Sequence, residues 1–116
     1  MSSAFGTALG ALRAFSIKLD VNANNIANVN TDHFKKSRVN LQEAAPGGVK
    51  VTIEQINTPG ISLGPDERTG EERESSNVEL ETEFVDQIVT RYAFEANVVT
   101  VRTAEETQKV LLDIIS

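Results

Sequence analysis

The sequence contains no cysteine and no tryptophan, and a single histidine, His33. Without thiols it has no disulfide framework, no cysteine nucleophile and no Cys/His set of zinc ligands. Six aromatic residues, five Phe and one Tyr, are too few for an aromatic-rich core or a platform on which bases stack. Basic charge is also short, with 11 Lys and Arg against 17 Asp and Glu for a formal net charge of −6. Affinity for a phosphate backbone comes mainly from Lys and Arg, so nucleic acid is not an expected partner. No apolar run approaches the roughly 20 residues that span a bilayer. The first residues also lack the basic start and continuous apolar stretch of a Sec-type signal peptide. A length of 116 residues suits one domain with limited capacity to bury a core.

Proline is missing from both ends. All three (Pro46, Pro59, Pro65) and five of the seven glycines fall within residues 46–75. The ends can therefore be long helices, and the middle is punctuated. Charge divides the same way: residues 1–45 net +2, residues 46–75 net −3 and residues 76–116 net −5.

In the first segment Phe5, Leu9, Leu12, Ser16, Leu19, Ala23 and Ile26 are spaced alternately four and three apart. This spacing predicts a helical heptad seam starting from a cap at Ser2 or Ser3. Gly6 and Gly10 weaken its first turns by roughly 1 kcal/mol each relative to Ala. Five Asn crowd residues 22–30, and Asn favours helix ends, so the helix is expected to stop near residues 28–30. In the last segment Ser76 and Glu79 have the spacing of a capping box, and Glu79, Glu81 and Glu83 place negative charge at a helix start. Val85, Ile88, Tyr92, Ala96, Val99, Thr103, Thr107, Val110 and Ile114 then step by three, four and four, an 11-residue repeat. A helix over residues 77–115 would be about 58 Å long against about 39 Å for the first, at 1.5 Å per residue. Neither can bury its stripe alone.

Between them, Val49, Val51 and Ile53 alternate with polar residues as in a half-buried strand. Residues 57–60 read as a turn, and residues 61–63 as a second short extended piece. Residues 65–75 hold no large apolar side chain and are expected to form a solvated loop or to be disordered.

Little of the sequence suggests chemistry. His33, beside Asp32, Lys35 and Lys36, has no accompanying nucleophile or ligand set and reads as a solvated turn residue. Glu71, Glu72 and Glu74 lack the alternating ligands and glycine of a calcium loop. Gly47-Gly48 lacks the Lys and Ser/Thr of a phosphate loop and reads as a turn. No catalytic residue, metal ligand or cofactor is expected, and an enzyme is not the reading.

Residues 23–38, ANNIANVNTDHFKKSR, resemble the N-terminal signature of the bacterial flagellar rod and hook axial proteins. A second match lies at the other end: Ser76-Asn77-Val78, then Phe84-Val85 and Ile88, Phe94-Glu95-Ala96-Asn97, and Thr103-Ala104-Glu105-Glu106 before Leu111-Leu112. The two matches cover about residues 4–38 and 76–115. The chain departs from the pattern in two places. His33 stands where the family usually has a Gly in a left-handed turn, and Tyr92 where an Arg is usual, with Arg91 one residue earlier.

The resemblance implies a mainly α fold. An antiparallel, coiled-coil-like pair of long N- and C-terminal helices forms one domain, with a small β/loop connector between them. The segments are then residues 1–45 (helix and Asn-rich turn), 46–75 (connector) and 76–116 (long helix). It implies a structural rod subunit without catalytic residues or cofactors, since the short middle has no room for the large inserted domains of a hook protein. Such a subunit is exported from the cytoplasm by the flagellar type III apparatus and polymerises, with itself and other axial proteins, into a helical tube in the periplasmic basal body. Subunit contacts are expected from Leu9, Leu12, Leu19 and Ile26 on the first helix and from Asn24, Asn25 and Asn28 in the asparagine cluster. Asn77, Val78, Val85, Ile88, Phe94, Asn97, Val99 and Val110 complete the set. The rival expectation is a small cytosolic coiled-coil adaptor or export chaperone, which would also be acidic, helical and without catalytic residues.

Overall fold

The computed structural model describes residues 2–45 and 47–115. Two helices enclose two hairpins in the order α1 (Ser2–Ala27), β1 (Ser37–Glu43), β2 (Val49–Gln55), β3 (Ser62–Pro65), β4 (Glu72–Glu74) and α2 (Leu80–Ile115). The expected cap at Ser2 or Ser3 lies outside the described side chains, as Pro46 lies outside the described residues. The particle is elongated, 76 × 25 × 18 Å, because α2 alone has 36 residues and rises about 54 Å at 1.5 Å per residue.

The helices pack against each other. Asn25 bonds Glu83, Asn22 bonds Glu83 and Asp86, and Lys18 pairs with Asp86. As the number falls along α1 it rises along α2, so the pair is antiparallel. The contact line differs from the expected one on both helices. On α1 the buried positions are Ala8, Ala14, Asn22 and Asn25, with Ala11, Phe15 and Lys18 half-buried on the same face, which is rotated about 100° from the expected seam. Leu12, Leu19 and Ile26 are left half-buried, and Leu9 exposed. On α2 the covered line is Glu83, Gln87, Thr90, Phe94, Asn97, Val101 and Ala104, stepping by four and three. The expected stripe lies elsewhere: Val85, Tyr92 and Val99 follow Glu83, Thr90 and Asn97 by two residues, about 200° around the helix. All three are exposed, with Val99 at 58 %. The physical reason is complementarity. Ala8 and Ala14 let the backbones approach, and the amides of Asn22 and Asn25 find carboxylates on α2.

The middle holds more β structure than its apolar pattern predicts. β1 was not expected, since Val39 and Leu41 are its only large apolar residues, but they sit opposite Ile53 and Val51 of β2 in an antiparallel register from Ser37↔Gln55 to Glu43↔Val49. This hairpin crosses the expected boundary at residues 45 and 46. Its turn contains the expected Gly47-Gly48 pair, closed by the Ala44 N–H donating to Gly48 O. It packs against α1.

The run 65–75 is not a plain loop. β4 pairs with β3 through Ser62↔Glu74, Gly64↔Arg73 and Pro65↔Glu72, with a bulge between Ser62 and Gly64. Gly64 has φ +84°, a conformation that suits a glycine at a bulge. This second hairpin is held by backbone bonds and polar side chains, and among the described residues neither of its strands packs on a helix.

α2 begins at Leu80 rather than near Asn77, and the capping box is not formed. The Ser76 hydroxyl instead accepts the Val78 N–H at 3.1 Å, an ST-turn, while Asn77 is engaged elsewhere.

Candidate functional site

The features that the sequence singles out converge on a neck where the end of α1, the turn after it, the start of β1 and the approach to α2 meet. Asn25, 1 % exposed, acts as a surrogate strand partner for Ser37. Its amide donates to Ser37 O at 2.9 Å, and its oxygen accepts the Ser37 N–H at 3.1 Å. The same amide nitrogen reaches Glu83 Oε1 at 3.2 Å. Asn77 does the equivalent for the preceding residue. Its oxygen accepts the Lys36 N–H at 2.7 Å, and its nitrogen donates to Ile56 O at 2.8 Å and Thr58 O at 2.9 Å. Two buried amides therefore grip successive backbone N–H groups at the entry to β1, one from each helical segment. An amide suits the task because it offers two donors and an acceptor in one plane, as a peptide group does.

The remaining asparagines finish the end of α1. The Asn28 amide donates to Asn24 O at 2.8 Å, and the Thr31 hydroxyl donates to Asn28 Oδ1 at 3.0 Å. This satisfies a carbonyl left free at the helix terminus. The chain then turns through His33, which has φ 63°, the left-handed conformation expected of the residue standing in place of a Gly. Its N–H donates to Glu74 O at 2.8 Å, which ties the turn to β4.

Glu74 is a second hub. It accepts from Lys35 Nζ and from the Gly60 N–H, the latter at 2.7 Å. The Lys35 bond first, then the Gly60 N–H, hold its carboxyl below the ordinary value, against a smaller opposing effect of desolvation. Gly60 runs so close to the chain that a Cβ there would sit 2.0 Å from Ser75 O, so no side chain fits. On the outer side Arg73 pairs with Asp32 at 2.9 Å, which raises the guanidinium further above its ordinary value.

The expected contact residues fall into three groups. Asn25, Asn77 and Val78 are buried within the chain. Leu12, Leu19, Ile26, Asn28, Phe94 and Asn97 are half-buried, and the Asn97 amide bonds Ala93 O of its own helix. Leu9, Asn24, Val85, Ile88, Val99 and Val110 are exposed. Of these six, Val85, Ile88, Val99 and Val110 lie along one side of α2. Sequence reasoning missed Lys18, Asn22, Glu83 and Asp86 as a set. The signal was present as two i, i+3 pairs, Asn22 with Asn25 and Glu83 with Asp86, each placing two polar groups on one helix face. Among the described residues no group of three or more His, Cys, Asp or Glu is placed to hold a metal ion, and no helix is long and apolar enough to cross a membrane.

Both ends of the chain match family models. Residues 5–35 match the model described as Flagella basal body rod protein, and residues 73–114 match the one described as Flagellar basal body rod FlgEFG protein C-terminal. The chain is similar to the flagellar basal-body rod protein FlgG of Bacillus subtilis, 42% identical over 62 residues, covering 48% of this chain and 24% of that protein. It is also similar to the flagellar hook protein FlgE of Borreliella burgdorferi, 32% identical over 88 residues, covering 76% of this chain and 18% of that protein. The matches thus span 24% and 18% of the length of these curated relatives. The chain belongs to the flagellar rod and hook family, whose members are structural proteins of the basal body and hook.

Proposed function

We propose that the chain is a structural subunit of the flagellar basal-body rod, exported by the flagellar type III apparatus and polymerising through its terminal helices into a helical tube. The observation that carries this reading is the uncovered face of α2. Val85, Ile88, Tyr92 and Val99, and beyond Thr103 and Thr107 also Val110 and Ile114, lie exposed along one side of α2, and every residue from Glu105 to Ile115 is exposed. Fully burying an aliphatic side chain contributes about 1.5–3 kcal/mol. Several covered together offset the cost of association, about 4–15 kcal/mol. The heptad-spaced inner lines of α1 and α2 support a coiled-coil-like pair that acts as one folding unit with the connector attached. The rod, rather than the hook, is favoured because only residues 37–74 are available between the helical ends for an inserted domain.

Val99→Asp tests the reading. Because Val99 is 58 % exposed, the substitution should leave the far-UV CD spectrum and Tm of the isolated chain unchanged while abolishing assembly and rod completion. Normal rod completion overturns the proposal. So does fractionation of the wild-type chain into a cytosolic complex with an export substrate instead of into intact basal bodies.

A further inference from the structure

Of the described elements α2 packs on α1 alone, so its opposite side is bare along the helix. A hollow of about 350 Å³ opens on that side, lined by Ile88, Arg91, Tyr92 and Glu95. The spacing i, i+3, i+4, i+7 is that of the four residues that surround one knob in a helix–helix interface, so the hollow is an unfilled hole. Its walls are half apolar and half charged, with Arg91 one turn before Glu95. The distal part of the same helix carries a matching knob. Val110 is 56 % exposed, and Lys109 next to it stands one turn before Asp113. The order of these charges sets a direction. Both segments run base then acid from N- to C-terminus, so a parallel pairing sets Arg91 against Lys109 and Glu95 against Asp113. An antiparallel pairing sets Arg91 against Asp113 and Glu95 against Lys109, opposite charges at both places. The apolar side chains agree. In the reversed helix Ile88 comes level with Ile114 and Tyr92 with Val110, within about 3 Å along the axis of the register that the charges set.

We propose that two copies of the chain pair through this outer side of α2, antiparallel about a two-fold axis near Arg102, with Val110 of each filling the hole at Ile88, Arg91, Tyr92 and Glu95 of the other. The symmetry makes every contact twice. Arg102 meets its own mate at the axis, and Glu106, one turn along in each copy, offsets the like charges. The contact spans residues 88–114, about 40 Å of one helix face, and stands at the small end of specific interfaces. The dimer therefore dissociates on dilution, and the dilute chain is monomeric. An isologous contact closes at two copies and cannot propagate. It also covers Val99 and Val110 of the stripe proposed for assembly. The contact does not depend on the rod reading, but its role rests on it: the dimer is a form of the subunit withheld from polymerisation.

The sequence has no cysteine, so an introduced thiol reports one position. Ala96 and Thr107 are exposed and come level across the antiparallel pair, whereas each lies about 16 Å along the axis from its own mate. Full-length Ala96→Cys and Thr107→Cys chains, mixed at high concentration and treated with a short bismaleimide, should give a cross-linked dimer holding one copy of each and little of either homodimer. By sedimentation equilibrium, Glu95→Lys and Lys109→Glu should each weaken the dimer by about tenfold. Both substitutions in one chain should restore it to within about threefold, which misfolded single variants would not do. Three results overturn the contact: a wild-type chain that stays monomeric at high concentration, homodimer cross-links in place of the mixed one, or a double variant no tighter than the singles. Each leaves the rod reading to the rod-completion test of Val99→Asp. A cross-linked dimer that still joins polymers of the wild-type chain overturns the withheld form.

Discussion

Asn25→Ala asks whether hydrogen bonds at the neck, rather than apolar packing, hold the helix pair to the first strand. The substitution strips partners from three groups at once: the N–H and C=O of Ser37 and Oε1 of the buried Glu83. A half-buried backbone group contributes about 1 kcal/mol through its bond and a bond to a charged group about 1.5–3 kcal/mol, so the loss is about 4 kcal/mol. That is large against a total of about 5–15 kcal/mol for a folded domain. The low end applies here, because the fully buried apolar residues described are only Ala8, Ala14 and Val78. With a urea dependence of about 1–3 kcal/mol per molar, the midpoint should fall by about 2 M, or the chain should be unfolded without denaturant. Asn25→Asp separates chemistry from shape. It keeps the volume and the acceptor for the Ser37 N–H, but places a carboxylate oxygen about 3 Å from Glu83 Oε1, where like charges repel. At neutral pH it should be less stable than Asn25→Ala, and mild acid should close the gap, since a proton on the introduced carboxylate restores a donor toward Glu83. Urea titrations of the isolated chains by far-UV CD, at neutral and mildly acidic pH, read both effects. A midpoint for Asn25→Ala within about 0.5 M of wild type would falsify the hydrogen-bond account of the neck.

Two other perturbations follow from the turn and the second hub. The Glu74 carboxyl lies below its ordinary value of 4.5, so its contribution is present above that value and is lost as pH falls through the depressed folded value. Protection of the Gly60 amide from hydrogen exchange should therefore drop on acidification once intrinsic exchange is corrected for, and Glu74→Gln should make it low and independent of pH. Unchanged protection in the wild type across the acid range counts against the hub. At His33, with φ 63°, Gly relieves about 1 kcal/mol of left-handed strain but restores a similar freedom to the unfolded chain, so Tm should barely move. His33→Val places a β-branched residue in that conformation and should cost about 1–2 kcal/mol, measured by the same denaturation; equal tolerance of Gly and Val would refute the strained turn.

The reach of the sequence varied with the kind of signal. Both long helices were legible because Pro is confined to the middle and periodicity is strong at the ends, and α1 stops at Ala27, beside the asparagines that predict its end. The face of each helix was not legible. Apolar spacing locates a stripe that needs cover but does not say what covers it, and on α2 the strongest stripe lies opposite the partner helix. The inner line includes Glu83, Thr90 and Asn97 among its seven residues, and these are types that single-sequence reasoning assigns to solvent. β1 was hidden by having only Val39 and Leu41, and β4 because Glu72, Arg73 and Glu74 carry no apolar signal. The asparagine signature was visible as a motif, but its partner Ser37 lies 12 residues on and Glu83 58 residues on, distances that local patterns do not bridge.

The exchange of faces has a consequence for how stability and assembly divide. A buried polar network adds little net free energy, because each bond replaces one to water, but it penalises misalignment severely. A one-residue slip of α1 against α2 would carry Asn22 and Asn25 about 100° away from Glu83 and leave a buried carboxylate unpaired. The inner face of the pair therefore sets register more than it sets stability. The outer stripe has the opposite character, since apolar burial is nondirectional and roughly proportional to area, and it contributes only when a second surface covers it. In an assembling subunit these roles are separable by mutation: Asn25→Ala acts on the isolated chain, and Val99→Asp on its association. If both substitutions instead moved the unfolding midpoint of the isolated chain by similar amounts, the inner and outer faces would not be distinct and the argument for an assembly stripe would fail.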